Sequence, residues 1–386
     1  MRRSITAKAI YELWGSGTSY AALYESIRAT SSHVWASYQD QTFKFTMDCF
    51  QGSRPLATQR ALIETFSFLS FTGSVRMKDP DMEFCILEDW AFDSLALGIP
   101  SPRHLYLGRL ISSSARDIIQ TYDLKKRAYI STTSMDSTLA LITANISLAA
   151  PSKLFYDPFV GTGSFPIACS HFGALTFGSD IDGRSIRGKG SRCLLSNFKQ
   201  YGLLSAFGDT FVADLTNTPL RNCRWLDGIV CDPPYGVREG LKVLGNRDRG
   251  KPRGPVYQGG EAHHLQPGYV PPKRPYSFLA MLDDILDFAA GALVPGARLS
   301  FWMPTSNERE EEIETPVHPC LEVMSVCTQS FNKWSRRLIT YRRREEGEVG
   351  EMEGGRRERS AMGEGVSADE LNPFRKRYFE GFAAKS

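Results

Sequence analysis

The sequence predicts an α/β protein: a doubly wound, Rossmann-like, mostly parallel sheet with a smaller α/β unit ahead of it. Three observations carry that prediction. From about Ile119 to Tyr341, apolar strand-like runs alternate with helical patterns, as parallel strands with crossover helices require. A glycine turn, Gly161-Thr162-Gly163, follows one such run and opens a helix. The first 117 residues lack the alternation and read as a separate unit.

In that first unit, residues 1–117, a helical stretch over Lys8–Arg28 precedes a strand at Phe43–Phe50 and a helix at Leu56–Leu69. Two short runs rich in aromatic and branched residues, Glu83–Glu88 and His104–Leu110, read as strands, with a Gly98-to-Pro102 turn before the second. The expected order is helix, strand, helix, strand, strand.

Residues 118–344 carry the main sheet, with strands expected at Lys153–Tyr156, Leu175–Ser179, Thr210–Ala213, Gly228–Cys231, Arg298–Met303, Leu321–Cys327 and Leu338–Tyr341. The last two leave no room for a crossover helix, which predicts a terminal antiparallel hairpin on a seven-stranded sheet. Residues 245–275, rich in Gly, Pro and charge with no apolar period, read as a long flexible insert. Residues 345–386 read as a charged low-complexity tail, in which Asn372-Pro373-Phe374-Arg375 and Tyr378-Phe379 are candidates to dock a short helix back onto the body.

Composition narrows the class. A chain of 386 residues exceeds the usual domain of about 100–200 residues. No apolar run approaches the roughly 18 residues of a membrane span, and the start has no secretory apolar region, so the expectation is a soluble cytoplasmic protein. Eight scattered cysteines without a C-x-x-C pair argue against a disulfide framework or zinc site and read as small buried thiols. A net charge of +3 is too weak to hold nucleic acid unaided, so any RNA affinity must come from local patches.

The glycine turn lies in Tyr156-Asp157-Pro158-Phe159-Val160-Gly161-Thr162-Gly163-Ser164. Glycine lets backbone pass close beneath a ligand, and the following helix aims free N–H groups into the same crevice. About 20 residues on, Asp180 and Ile181 end the next strand, where a doubly wound sheet offers an acid to ribose hydroxyls. Asp214, at the end of the third strand, is placed to meet an adenine edge. Pro166 occupies the position of the third glycine in a dinucleotide fingerprint, and a carboxylate at Asp157 would repel a pyrophosphate but suit a cationic amino acid. These departures favour S-adenosylmethionine, with Asp157, Phe159, Gly161, Thr162, Gly163, Asp180, Ile181 and Asp214 as the candidate contacts.

A second segment, Asp227 to Gly236, runs an apolar strand straight into Asp232-Pro233-Pro234-Tyr235. These residue types suit methylation of an amine on a heteroaromatic ring, whose lone pair is delocalised and needs acceptors on its hydrogens. Asp232 supplies a carboxylate, and the two prolines present carbonyls with no competing N–H. Tyr235 offers a face to a flipped base, a contact worth about 1–3 kcal/mol. Adenine N6 and guanine N2 are both open as acceptors on this evidence, as is a non-catalytic RNA-binding subunit that has kept the fold.

The segments Leu124–Ile130, Thr132–Met135, Asp157–Ser164, Gly178–Arg184, Asp232–Glu239 and Phe331–Leu338 resemble the catalytic subunit of the eukaryotic tRNA guanine-10 N2-methyltransferase family across nearly the whole chain. The resemblance implies a class I methyltransferase domain behind an N-terminal THUMP-like tRNA-binding domain. It implies tRNA as substrate and a small zinc-binding activator as partner, with the metal in the partner. It also implies Asp232 and Tyr235 at the reacting guanine, and Thr133 or Ser134 closing over the methionine end of the cofactor. Family members carry a further ferredoxin-like stretch before the Lys8–Arg28 segment, so an N-terminally shortened THUMP domain is expected.

Two basic runs are candidates for phosphate. The first spans Lys242 to Arg253, with Arg247, Arg249 and Lys251 between, and the second spans Arg336 to Arg344. Glu308–Glu314 reads as a solubilising loop, His263-His264 lacks partner ligands for a metal, and His171 reads as a packed helix residue.

Overall fold

The computed structural model describes residues 1–237, 241–245, 256–266, 269, 271–307, 313–331, 334–348, 372, 374, 375 and 378. The chain divides into two compact units, Met1–Ile118 and Ile119–Ser386.

In the first unit, β1 (Ala9–Gly17), α1 (Tyr20–Ser31), β2 (Phe43–Phe50), α2 (Leu56–Glu64), β3 (Met82–Asp89) and β4 (His104–Ser113) build a sheet of order β1-β4-β3-β2. Only the β2–β3 pair is parallel. Trp14, Phe84, Ile86 and Leu107 on the sheet bury against Leu23 and Ile27 of α1, and Phe84 stacks on Phe45 at 5.1 Å. A buried carboxylate, Glu88, accepts from Arg54, the Tyr20 hydroxyl and the Trp90 indole, so its charge is paired and its lone pairs are used.

The expected helix over Lys8–Arg28 is corrected to a strand and a helix. The break is at Gly15-Ser16-Gly17: β1 crosses α1 so closely that a Cβ on Gly17 would lie 2.6 Å from the Leu23 nitrogen. Ser19 then starts the helix by accepting from the Ala22 N–H at 3.2 Å.

The second unit begins with α3 (Ser137–Ile146), capped by Asp136. The chain then alternates through β5 (Leu154–Asp157), α4 (Ser164–His171), β6 (Leu175–Asp180), α5 (Leu194–Gln200), β7 (Phe207–Val212) and β8 (Leu226–Cys231). After a short hairpin of β9 (Lys242–Leu244) and β10 (Lys273–Pro275) come α6 (Phe278–Ala292), β11 (Leu293–Ser306), β12 (Leu321–Ser330) and β13 (Trp334–Arg343). The seven-stranded sheet has the order β12-β13-β11-β8-β5-β6-β7. β13 is antiparallel to both of its neighbours, and the other pairings are parallel.

Winding runs outward from β5 to β7 and then returns to β8 on the other side of β5. The switch point therefore falls between β5 and β8, where open α/β sheets bind ligands at the carboxyl ends of their strands. One face of the sheet packs on α6 through Met281, Leu282, Ile285 and Leu286 against Tyr156, Ile229, Leu299 and Phe301. Alternation turns Trp302 to the other face, where its indole donates to Thr143 of α3 at 3.0 Å.

Three further expectations change. The region 245–275 is not featureless: Lys273–Pro275 pairs with Lys242–Leu244, and Tyr257–Gln258 pairs with Glu261–Ala262. Leu241 and Val243, buried just before the region, anchor the strand that Lys273–Pro275 pairs with. The run Arg336–Arg344 lies largely inside strand β13 and is not an open basic surface. Arg337 and Arg343 are buried, and Arg343 donates to the carbonyls of Ala290 and Cys320. The thiols also differ from expectation, since Cys85, Cys169 and Cys231 are buried but Cys223 and Cys327 are exposed. His171 packs as expected, with its Nδ1 2.9 Å from the Tyr122 hydroxyl. Glu308–Glu312 lie outside the described residues.

Candidate active site

The parallel β5–β8 pair aligns Phe155 with Gly228 and Tyr156 with Ile229, so both strands deliver their next residues to the same edge of the sheet. Strand neighbours lie about 4.8 Å apart, which sets Asp157 and the loop from Asp232 side by side.

On the β5 side the turn is held tightly. Val160 donates to the Ser179 carbonyl at 2.8 Å, and Gly161 donates to Asp180 Oδ2 at 3.0 Å. Gly163, with φ +88°, is the N-cap of α4, and the turn there needs that left-handed conformation. Ser134 Oγ lies 2.7 Å from Thr162 Oγ1, so the Thr133-Ser134 loop meets the glycine turn, and Thr133 is tied to Ser131 at 3.2 Å.

Asp157 is buried. Its Oδ1 accepts from the Phe159 N–H at 2.9 Å, while Oδ2 has no hydrogen-bond partner. Burial pushes the Asp157 carboxyl well above the usual carboxylate range, and the charges of Asp180 and Asp232 push the same way. Asp180 is also raised, by burial first, against hydrogen bonds from Asp182 and Gly161. An unpaired buried acceptor among like charges is costly in isolation, and a cation is the ligand that relieves it. The crevice thus fits the amino-acid end of S-adenosylmethionine.

Asp214 behaves differently from the expected adenine contact. Oδ1 accepts from Thr216 at 2.9 Å and Oδ2 accepts from the Leu244 N–H at 2.6 Å, so its carboxylate ties β9 to the end of β7. Ile181 lends its carbonyl to Lys273 Nζ at 3.4 Å, bringing β10 to the same side.

On the β8 side, the Tyr235 hydroxyl donates to Asp232 Oδ1 at 2.5 Å, which leaves Oδ2 to accept from a substrate amine. Burial raises Asp232 to about 6, opposed by that hydrogen bond and by the Arg336 cation. Pro233 is buried and Pro234 exposed. Tyr235 is therefore more than a stacking face, because it also fixes the carboxylate. Of the proposed phosphate contacts, Lys242 stands exposed on β9, and Arg247, Arg249, Lys251 and Arg253 lie outside the described residues.

Three residues at this site carried no sequence signal for the role they take, Arg336 standing out only as the start of a basic run. Asn197, fully buried on α5, donates to the carbonyls of Thr162 and Tyr129 and accepts from the Tyr129 N–H, stapling the glycine turn to the 124–130 segment. Arg127 donates to Ser164 Oγ at 2.8 Å, behind the first turn of α4. Arg336 lies over the rings of Trp302 and Phe331, with its guanidinium charge acting on Asp232 and Tyr235. Arg127 and Arg336 fall inside segments of the family resemblance, but nothing in their local spacing assigns them a chemistry.

Residues 1–116 match the family model described as "Tmrp11 THUMP N-terminal domain", and residues 125–245 match "RMKL-like, methyltransferase domain". A tRNA (guanine(10)-N(2))-methyltransferase of Saccharomyces cerevisiae is 42% identical over 99% of this chain and 87% of its own. One from Schizosaccharomyces pombe is 42% identical over 89% of this chain and 70% of its own. The chain belongs to the tRNA (guanine(10)-N(2))-methyltransferase family. Among solved structures, TrmN from Thermus thermophilus is 15% identical with a TM-score of 0.41, covering 88% of this chain and 84% of that one, a likeness too distant to bear on function.

Two outcomes follow for this member of the tRNA (guanine(10)-N(2))-methyltransferase family. Asp157→Asn keeps the shape but removes the charge, and calorimetric affinity for S-adenosylmethionine drops at least about tenfold, since a hydrogen bond to a charged group is worth about 1.5–3 kcal/mol. Asn197→Ala strands three backbone groups; urea unfolding reports a loss of roughly 1–3 kcal/mol, and cofactor affinity weakens with it.

Proposed function

We propose that this chain transfers a methyl group from S-adenosylmethionine to the exocyclic N2 of guanine 10 in tRNA, as the catalytic subunit of a heterodimer. The observation that carries the reading is the pairing, across neighbouring parallel strands, of the Asp157 carboxylate, with its open Oδ2, and the Asp232-Pro233-Pro234-Tyr235 loop. When bound, the cofactor supplies an electrophilic methyl carbon on a sulfonium leaving group. Asp157 would hold its amino group, and the turn at 161–163 with Ser134 would line its methionine end.

Asp232 Oδ2 and a proline carbonyl accept the two hydrogens of the amine, drawing its lone pair out of conjugation with the ring. As nitrogen takes the methyl group it becomes acidic, and Asp232 Oδ2 is placed to receive the proton. A carboxyl of pKa about 6 is ionised at neutral pH yet basic enough to take a proton transiently. Tyr235 and Arg336 hold it in place and moderate its charge.

The THUMP-like unit, residues 1–117, serves as the tRNA-docking domain ahead of the methyltransferase domain at 118–344 and the tail at 345–386. Lys242, with the basic residues up to Arg253, lies after the catalytic loop, where phosphates neighbouring the target nucleotide would pass. The family resemblance supports a small zinc-binding activator as obligatory partner. No helix among the described residues is long and apolar enough to cross a membrane.

The direct test incubates the full chain, with and without the activator, with unmodified tRNA and labelled cofactor, followed by nucleoside analysis. N2-methylguanosine is the expected product. N6-methyladenosine overturns the target, and no methylated nucleoside in the presence of the activator overturns the activity. Asp232→Asn lowers turnover roughly 100-fold or more, as loss of a positioned acid–base group does, while cofactor affinity stays.

The pH profile has a defined sign. Because Asp232 must be ionised to accept, kcat/KM falls as pH drops below about 6, approaching tenfold per unit. Stability runs the other way. The raised pKa means that the folded state binds this proton more tightly, so the Asp232 contribution favours folding at acid pH and is lost between about 4 and 6 as pH rises.

A further inference from the structure

The C-terminal segment returns to the catalytic loop. Asn372, almost fully buried, donates through Nδ2 to the Tyr235 carbonyl at 2.6 Å. Arg375 donates through Nη1 to the carbonyls of Gly236 at 2.9 Å and Val237 at 2.5 Å. Asn372 Oδ1 also accepts from the Arg375 N–H at 3.2 Å, so the two clasp residues orient one another. Three successive main-chain acceptors, immediately after Asp232-Pro233-Pro234, are thus satisfied by side chains that lie about 140 residues further along the chain.

The segment has its own anchor. Phe374 is buried and meets the Trp334 ring edge-on at 6.1 Å, and Tyr378 meets the same ring at 6.1 Å. Trp334 in turn stacks on Phe331 at 4.5 Å, and Phe331 lies under Arg336, the cation that acts on Asp232. Gly236 completes the fit. Its φ of +68° suits only glycine comfortably, and a Cβ there would lie 2.8 Å from Asn372 Nδ2. The loop therefore turns in the conformation that exposes its carbonyls to the clasp and leaves no room for a side chain between them.

The geometry points to Asn372 and Arg375 as positioning residues for methyl transfer: they fix the backbone of the acceptor loop from behind without touching cofactor or base. This inference rests on reading that loop as the acceptor site. In-line transfer needs nitrogen, methyl carbon and sulfur aligned, and displacement of an acceptor by about 1 Å costs on the order of 100-fold in rate. Two prolines stiffen the loop internally, but its downstream end has no proline to fix it. Hydrogen bonds from a guanidinium and a buried amide supply that constraint, while the cofactor crevice on β5 is built from other residues.

The test compares the full chain, in complex with its activator, as wild type, Asn372→Ala, Arg375→Ala and Arg375→Lys. The expected result is a fall in kcat of about tenfold or more in each alanine variant, with KM for tRNA and calorimetric affinity for S-adenosylmethionine within about twofold of wild type. Arg375→Lys, which can still donate to a carbonyl, recovers a measurable part of the loss. Carbonyl 13C chemical shifts supply a readout independent of activity: the Tyr235 carbonyl moves upfield in Asn372→Ala, and those of Gly236 and Val237 in Arg375→Ala, as their hydrogen bonds are lost, while Gly161–Gly163 stay as they were.

Unchanged carbonyl shifts in the 235–237 stretch, or unchanged kcat, overturns the inference. A parallel drop in thermal midpoint, cofactor affinity and kcat also overturns it, because that is the mark of a merely structural contact. If Asn372→Ala fails to fold, Arg375→Ala carries the comparison with the Asn372 amide left in place. A wild-type complex that methylates no tRNA removes the reading of the acceptor loop, and the carbonyl shifts still decide whether the clasp holds it.

Discussion

The site depends on a single adjacency: β5 and β8 are parallel neighbours although β6, β7 and their connecting helices separate them in sequence. The switch in winding direction opens a crevice there, and the two strands discharge an acid each into it. Asp157 and Asp232 are raised chiefly by burial, and the charge on Asp232 pushes Asp157 further. Such a crevice is electrostatically unsatisfied by the protein itself. A cation beside Asp157 and a hydrogen-bond donor at Asp232 would each relieve strain already present in the fold.

Around that adjacency the protein spends its buried polar side chains on backbone. Asn197 holds the glycine turn and Asp214 holds β9. Each uses a short, rigid side chain with both donor or acceptor positions committed, so the loops they restrain are fixed in more than one direction. Asp157 and Asp232 thereby each keep one oxygen out of structural duty. Asp157 Oδ2 and Asp232 Oδ2 stay open because neighbours do the holding.

Much of this was legible in the sequence where the signal is local. Parallel strands buried on both faces read as short apolar runs, so each strand of the main sheet was found close to its observed place, including the terminal hairpin. The D-P-P-Y run carries its chemistry in four adjacent residues. What was lost is what depends on distant partners. β1 was taken into the following helix because Ala9–Trp14 is compatible with both periods and only its pairing with β4 decides. The Arg336–Arg344 run was read by charge, whereas the strand alternates its side chains into the core and across to Asp232. Asn197 and Asn372 are polar residues with no motif around them, and their roles exist only once the chain has folded.

The strand order also sets a timetable for synthesis. β13 lies between β11 and β12, so the hydrogen-bonding edge of β11 stays unpaired until residues 334–343 have left the ribosome, and Asn372 and Arg375 emerge later still. A nascent polypeptide can form its ligand crevice around β5 and β6 well before its sheet is closed. During that interval an exposed, apolar strand edge is available to other chains, a vulnerability that ends only when β13 takes its place.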